Sequence, residues 1–149
     1  MAARYESGDL IKWYRSKQKV IEEGTEAALE EVGQIGAEEG KRIISTSHTG
    51  KRWVRPGPTG REGSFNGRID TGKMINAFGY RINHPGNSAQ VRIGWTGGTR
   101  EDYFYLQNLG FHHAIADIDI EGMYAVQDAS EYAFSQLPGL LKKEIGRGK

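Results

Sequence analysis

The spacing of apolar residues divides the chain into two long helical stretches with short strands between them. From residue 9 to about 45, Leu10, Trp13, Tyr14, Val20 and Ile21 recur at steps of three, four and seven. Leu29, Val32, Gly36, Ile43 and Ile44 carry the apolar face onward. That period predicts an amphipathic helix. Asp9 is placed to cap its start, because a carboxylate there accepts from the free amides of the first turn. Gly24 followed by Thr25 offers a point where the helix breaks or kinks, with Thr25 capping a second half. Gly33, Gly36 and Gly40 each cost a helix about 1 kcal/mol relative to Ala, so their presence predicts close approach of another element. Near the other end, Met123, Val126, Ala129, Ala133, Leu137, Leu140, Leu141 and Ile145 predict a second amphipathic helix, which Pro138 should kink or restart.

Between the helices the period changes to two. Tyr80, Ile82 and His84 alternate with Arg81 and Asn83, and Val91, Ile93 and Trp95 alternate with Gln90, Arg92 and Gly94. Pro85-Gly86-Asn87-Ser88 joins them as a hairpin turn, with proline presetting the first central φ and glycine taking the positive one. Upstream, Asp70 and Thr71 offer caps for a short helical turn carrying Met74, Ile75 and Phe78 inward. YFYLQNLG, ending at Gly110, fits a short aromatic helix or strand, and Ile118 and Ile120 share one face of a further strand. Residues 46–69 are rich in Gly, Pro, Ser and Thr, a length uncommon for a structureless loop inside a compact domain. They read as a mobile arm or a β-hairpin extension. The fold class is α+β: long N-terminal and C-terminal helices packed on a small antiparallel sheet, in one domain of 149 residues with an extended loop at 46–69.

Composition removes several classes of function. There is no cysteine, which excludes disulfides and thiolate metal sites. No apolar run approaches the roughly 18 residues of a membrane span, and MAARYESGDLIKWY lacks the features of a secretory signal. Synthesis in the cytoplasm, without a membrane partner, is the expectation. A net charge of +1 argues against a dedicated nucleic-acid binder. The charge is uneven, however. Residues 45–68 hold five basic groups and one acid, whereas residues 101–121 hold five acids and no base.

Motifs for catalysis fail one by one. Gly67 to Lys73 matches the start of a phosphate-binding loop, but Met74 stands where a magnesium-binding hydroxyl belongs. His112, His113, Asp117 and Asp119 are possible zinc ligands, yet adjacent histidines on an extended chain point to opposite faces. No nucleophile elbow exists. Glu22/Glu23, Glu30/Glu31 and Glu38/Glu39 fit solvated helix faces better than general acids. Neither a cofactor nor a metal is implied. One constellation keeps two functional readings: Lys51, Arg52, Trp53, Arg55, Arg61, Phe65 and Arg68. Basic groups interleaved with aromatics can track phosphates and stack bases, which describes a small nucleic-acid-binding module. Arg and Trp are equally the residues enriched at subunit-interface hot spots. The interface is favoured, with Trp53 as anchor and the acidic stretch that includes Asp117 and Asp119 as a complementary face.

The order of these features resembles a known family. A long helix rich in Ala and Glu (EAALEEVGQIGAEEGKRII) precedes Asp70-Thr71-Gly72-Lys73-Met74-Ile75-Asn76-Ala77-Phe78, then the strand AQVRIGW, the segment YFYLQNLGF and a closing helix beginning IEGMYAVQDA. This succession is similar to the tail-completion, or neck, proteins of long-tailed bacteriophages, of the lambda minor tail protein Z type. The likeness runs from about residue 25 onward. Asn108-Leu109-Gly110 stands where the family often has Glu-x-Gly, and the loop at 46–69 is longer than the family's usual link. The resemblance implies a non-enzymatic virion protein at the head-proximal end of a tail. Copies would form a ring, a hexamer by the sixfold symmetry of such tails, against tail-terminator, tail-tube or connector proteins. If the copies ring a channel, some loop arginines would face DNA passing through it, while the same loop is also the candidate subunit contact.

Overall fold

The structure, a computed structural model, describes residues 7–54, 64–67, 72–96, 101–115 and 117–147. It is α+β. Helix α1 spans Ser7–Thr46 and α4 spans Ala125–Arg147, and their mutual packing is the most extensive between any two elements. Between them lie β1 (His48–Val54), β2 (Ser64–Gly67), α2 (Lys73–Ala77), β3 (Phe78–Asn83), β4 (Gln90–Trp95), α3 (Glu101–Leu109), β5 (Gly110–His113) and β6 (Ile118–Glu121). The strands form three separate antiparallel ribbons, β1–β2, β3–β4 and β5–β6, where one small sheet was expected.

Helix α1 runs unbroken through Gly24. The glycine is there for packing: a Cβ at residue 24 would lie 2.9 Å from Cγ1 of Ile145 on α4. Thr25 therefore caps nothing. Asp9 sits inside the first turn, where it favours the helix dipole, because the helix already begins at Ser7. The other three glycines of α1 hold the β3–β4 hairpin close. A Cβ at Gly33, Gly36 or Gly40 would overlap, respectively, the Tyr80 ring, the Ile93 side chain and the Phe78 ring. Absent side chains on the helix are filled by large ones from the hairpin.

That contact defines the core. Phe78, Ile44 and Val32 are fully buried, with Met74, Val91, Ile93, Phe104 and Met123 around them. Trp95 packs edge-on against Phe78 with ring centroids 5.1 Å apart and lies 5.6 Å from Phe104. Its indole Nε1 donates to the Met74 carbonyl at 2.8 Å, so this large ring is buried without stranding its N–H. Ala125, Ala129 and Ala133 give α4 a narrow buried edge.

Three local expectations change. Helix α2 has Gly72 at its N-cap, at φ 77°, with no side-chain cap hydrogen bond; Asp70 and Thr71 lie outside the described residues. In the β3–β4 loop, Ser88 N donates to Pro85 O at 3.2 Å and Gly86 has φ 61°. Pro85 is thus the first corner of the turn, and glycine occupies the first central position that proline was expected to fill. Helix α4 continues through Pro138 without restarting. Residues 48–54 and 64–67 realise the hairpin alternative for the long segment, with Trp53 paired to Phe65 and a register shift between His48 and Trp53.

Candidate functional site

Much of the predicted basic loop lies beyond description. Arg55, Arg61 and Arg68 are outside the described residues. Lys51, Arg52 and Trp53 belong to β1 and Phe65 to β2, and the ladder sets Phe65 directly across from Trp53. The backbone thus brings two aromatic positions of the constellation side by side.

Asp117 and Asp119 lie at the β5–β6 tip with their carboxylates almost fully exposed. His112, opposite Asp119 in the ladder, places Nδ1 2.9 Å from Asp119 Oδ1 and Nε2 3.5 Å from Asp117 Oδ1. Asp117 takes a positive φ of 50°, which a short polar side chain tolerates in a turn. His113 faces the other way, its ring beside Phe111. Among the described residues no three metal-binding side chains converge on one ion.

The glutamate pairs divide their labour. Glu30 accepts the Tyr80 phenol and Glu31 binds Lys143 Nζ at 3.0 Å, so one pair ties α1 to both the hairpin and α4. Arg42 donates two hydrogen bonds to Glu39 and holds its carboxyl below the ordinary range. Glu22, Glu23 and Glu38 are exposed, and Glu22 and Glu23 meet Gln18 and Lys19 one turn earlier on the same helix.

Three features were not anticipated. The first is the beginning of α1. From Gly8 to Lys19 every residue is exposed, and Leu10, Trp13, Tyr14 and Ile21 are 59%, 58%, 66% and 52% accessible. At 100° per residue these four fall within an arc of about 100° together with Lys17. The stripe is the face that meets α4 at Gly24, continued past the end of α4.

The second is the outward face of α3. Its inward side buries Phe104, Gln107 and Asn108, while Tyr103, Tyr105, Leu106 and Leu109 are exposed beside Tyr124. Asn108 fastens this element to α4. Its Oδ1 accepts from Val126 N at 3.1 Å, its Nδ2 donates to Gln127 Oε1 at 2.7 Å, and its carbonyl accepts from Tyr124 N at 2.9 Å. The side chain caps a helix 18 residues away, which is why a buried polar group sits here. Gly110 follows at φ 84°, where a Cβ would press on the Gly122 amide at 2.8 Å.

The third is a groove on the solvent side of the β3–β4 hairpin, about 310 Å³, whose lining includes Arg81, Arg92, Asn83, Trp95 and Tyr105. Arg81 and Arg92 are direct cross-strand partners. Like charges in that position repel, and no described carboxylate neutralises either one. Alternation separates each from the apolar residues of its own strand, but only the register places the two opposite each other.

Set against protein-family models, curated proteins and solved structures, the chain matches none of them.

Proposed function

We propose that this protein is a structural component of a phage virion, at the head-proximal end of the tail, where copies form a ring that completes the tail and helps join it to the head. The order of long helix, short turn, hairpin, Tyr-rich segment and closing helix supports the reading through its resemblance to the tail-completion proteins. The observation that carries it is the amount of apolar surface left facing outward on rigid elements: the stripe Leu10, Trp13, Tyr14 and Ile21, and the face of α3. Contiguous apolar surface of this kind marks interaction sites. The work assigned to the protein on this reading is assembly. Its partners are other copies, with a hexamer as the working number, and the tail-terminator, tail-tube or connector proteins on either side.

The test is genetic and microscopic. A phage lacking the gene should accumulate filled heads and separate tails, and labelled protein should localise to the neck of complemented particles. Normal joined particles without the protein would refute the reading. A second reading, a nucleic-acid-binding module, is favoured by the unneutralised Arg81–Arg92 pair in the groove that the exposed Tyr105 also lines. Arginines beside an exposed aromatic ring suit phosphates and bases. It expects salt-sensitive binding to random-sequence DNA that Arg81→Glu/Arg92→Glu abolishes.

A further inference from the structure

We infer that the first half of α1, residues 8–21, docks on the outward face of α3 and the β5–β6 ribbon of a second copy of this chain. The inference deepens the assembly reading and rests on it in taking this chain as its own partner.

Among the described residues, no other part of the same molecule lies against this stripe. Helix α1 is one unbroken rod of 40 residues, and Ile145, in the last turn of α4, packs at Gly24. At 1.5 Å per residue, the segment from Ser7 to Gly24 reaches about 25 Å past that point. A continuous helix cannot fold back on itself, so among the described residues nothing covers Leu10, Trp13, Tyr14 and Ile21, and the stripe is open to another molecule.

Chemistry selects that molecule. Residues 8–21 contain four basic groups, Lys12, Arg15, Lys17 and Lys19, and one acid, Asp9. Lys19 reaches Glu23 at 3.7 Å, but Lys12, Arg15 and Lys17 have no described acidic partner. Lys17 lies in the middle of the apolar stripe, so a surface that buries the stripe must offer it a carboxylate. The same chain presents such a surface. Tyr103, Leu106, Leu109 and Tyr124 are exposed around α3, and the ribbon continuing from α3 at Gly110 carries Asp117, Asp119 and Glu121 with no lysine or arginine. An apolar stripe with a basic centre therefore meets an apolar face with an acidic border. Charge complementarity of this kind speeds encounter and fixes register. Because arm and face are different surfaces, the contact is heterologous, and repetition builds a ring or a chain of copies.

Two variants test the pairing: an arm variant, Leu10→Glu/Trp13→Glu, and a face variant, Leu106→Glu/Asp119→Lys. All four positions are exposed, and circular dichroism melts should match the natural protein. In sedimentation velocity the natural protein should associate with rising concentration, and each variant alone should stay monomeric. Mixed in equal amounts, the two variants should form a one-to-one pair and nothing larger, since the mixture retains one intact arm and one intact face. If the face variant does not fold, a charge exchange replaces it: Lys17→Glu should weaken association at least tenfold, and adding Asp119→Lys should restore it. The inference is overturned if the natural protein stays monomeric at concentrations on the order of 100 μM, which already bounds the affinity at a weak value. It is also overturned if the arm variant associates like the natural protein, if the mixture stays monomeric, or if Trp13 instead carries a monomer onto phosphatidylglycerol vesicles. Failure here leaves the neck assignment to its own genetic test. A correct pair from a protein absent from particles would sink the neck assignment alone.

Discussion

The two halves of α1 belong to one helix and obey opposite rules. From Gly24 onward its inner faces interleave Leu29, Val32 and Ile44 with the small residues Gly24, Ala28, Gly33, Gly36, Ala37 and Gly40, and the space at the glycines is filled by Phe78, Tyr80, Ile93 and Ile145 of other elements. Before Gly24 the bulk is on the helix itself, in Leu10, Trp13, Tyr14 and Ile21, and nothing described lies against it. Periodicity reports that a helix has a face to bury, but not what buries it. A helix that receives another element's side chains is hollowed by glycine and alanine, whereas one that inserts into a partner carries rings of its own. The second half gains its stability from tertiary contacts, and the first must rely on propensity and on its attachment to the rest of the rod.

The sharpest way to break that comparison is to remove one aromatic from each half's interface. Phe78→Ala opens a cavity against Gly40 and Trp95 and should destabilise by roughly 3–5 kcal/mol. Trp13→Ala removes a larger ring and should leave stability within about 0.5 kcal/mol, as exposed substitutions do. Denaturant melts of the two variants decide the matter. Comparable losses would mean that the arm is folded onto the body after all.

Asn108→Ala probes the fastening between α3 and α4. It leaves the Val126 amide and the Gln127 side chain without their partner and should cost about 1–3 kcal/mol. Hydrogen exchange should show the loss concentrated in the first turn of α4. Uniform loss of protection would assign Asn108 to general packing instead.

Glycine substitutions should change sign between the halves. Gly40→Ala improves helix propensity by about 1 kcal/mol, yet the new methyl would overlap the Phe78 ring. Overpacking of this kind costs about 1–3 kcal/mol, so net destabilisation is expected. Gly8→Ala meets no atom within 4 Å and should stabilise by roughly 0.5 kcal/mol. Thermal melts that gave both substitutions the same sign would contradict the contrast.

What the sequence made legible follows from the same physics. The β3–β4 hairpin, the core positions Met74 and Phe78 and the stripe of α4 were all readable, because alternation and the 3.6-residue period are local signals. The packing role of Gly33, Gly36 and Gly40 was readable too, since three unfavourable residues in one helix need a compensating contact. Gly24 misled because a glycine that admits a partner looks the same as one that breaks a helix. Asn108 was opaque: the amide it caps lies 18 residues away, and no local pattern encodes that distance. The Arg81–Arg92 pair required the strand register. The arm was hidden by its own periodicity, which resembled a core face, although the excess of Lys12, Arg15, Lys17 and Lys19 was a visible signal that the segment has an acidic partner.

The smallest effect expected is at the seam where the packed half of α1 meets the hairpin. Tyr80 lays its ring over Gly33 and its phenolic O–H donates a hydrogen bond to Glu30. The Glu30 carboxylate that accepts this hydrogen bond holds the Tyr80 phenol above its ordinary value, with burial adding to the shift. Because the folded value is raised, the stabilisation is fully present below about pH 10, the ordinary phenol value, and is lost as pH rises through the raised one. Tyr80→Phe keeps the ring over Gly33 and removes only the hydrogen bond. The bond is solvent-exposed, so the expected loss near neutral pH is at the low end for hydrogen bonds, about 0.5 kcal/mol. Above the raised value the natural protein carries a phenolate beside Glu30, and the difference should vanish or reverse. Urea melts of both proteins at pH 7 and at the highest pH they tolerate would measure it. A difference that stayed constant with pH would show that Glu30 does not hold the phenol proton, and that the hairpin is seated on α1 by glycine packing alone.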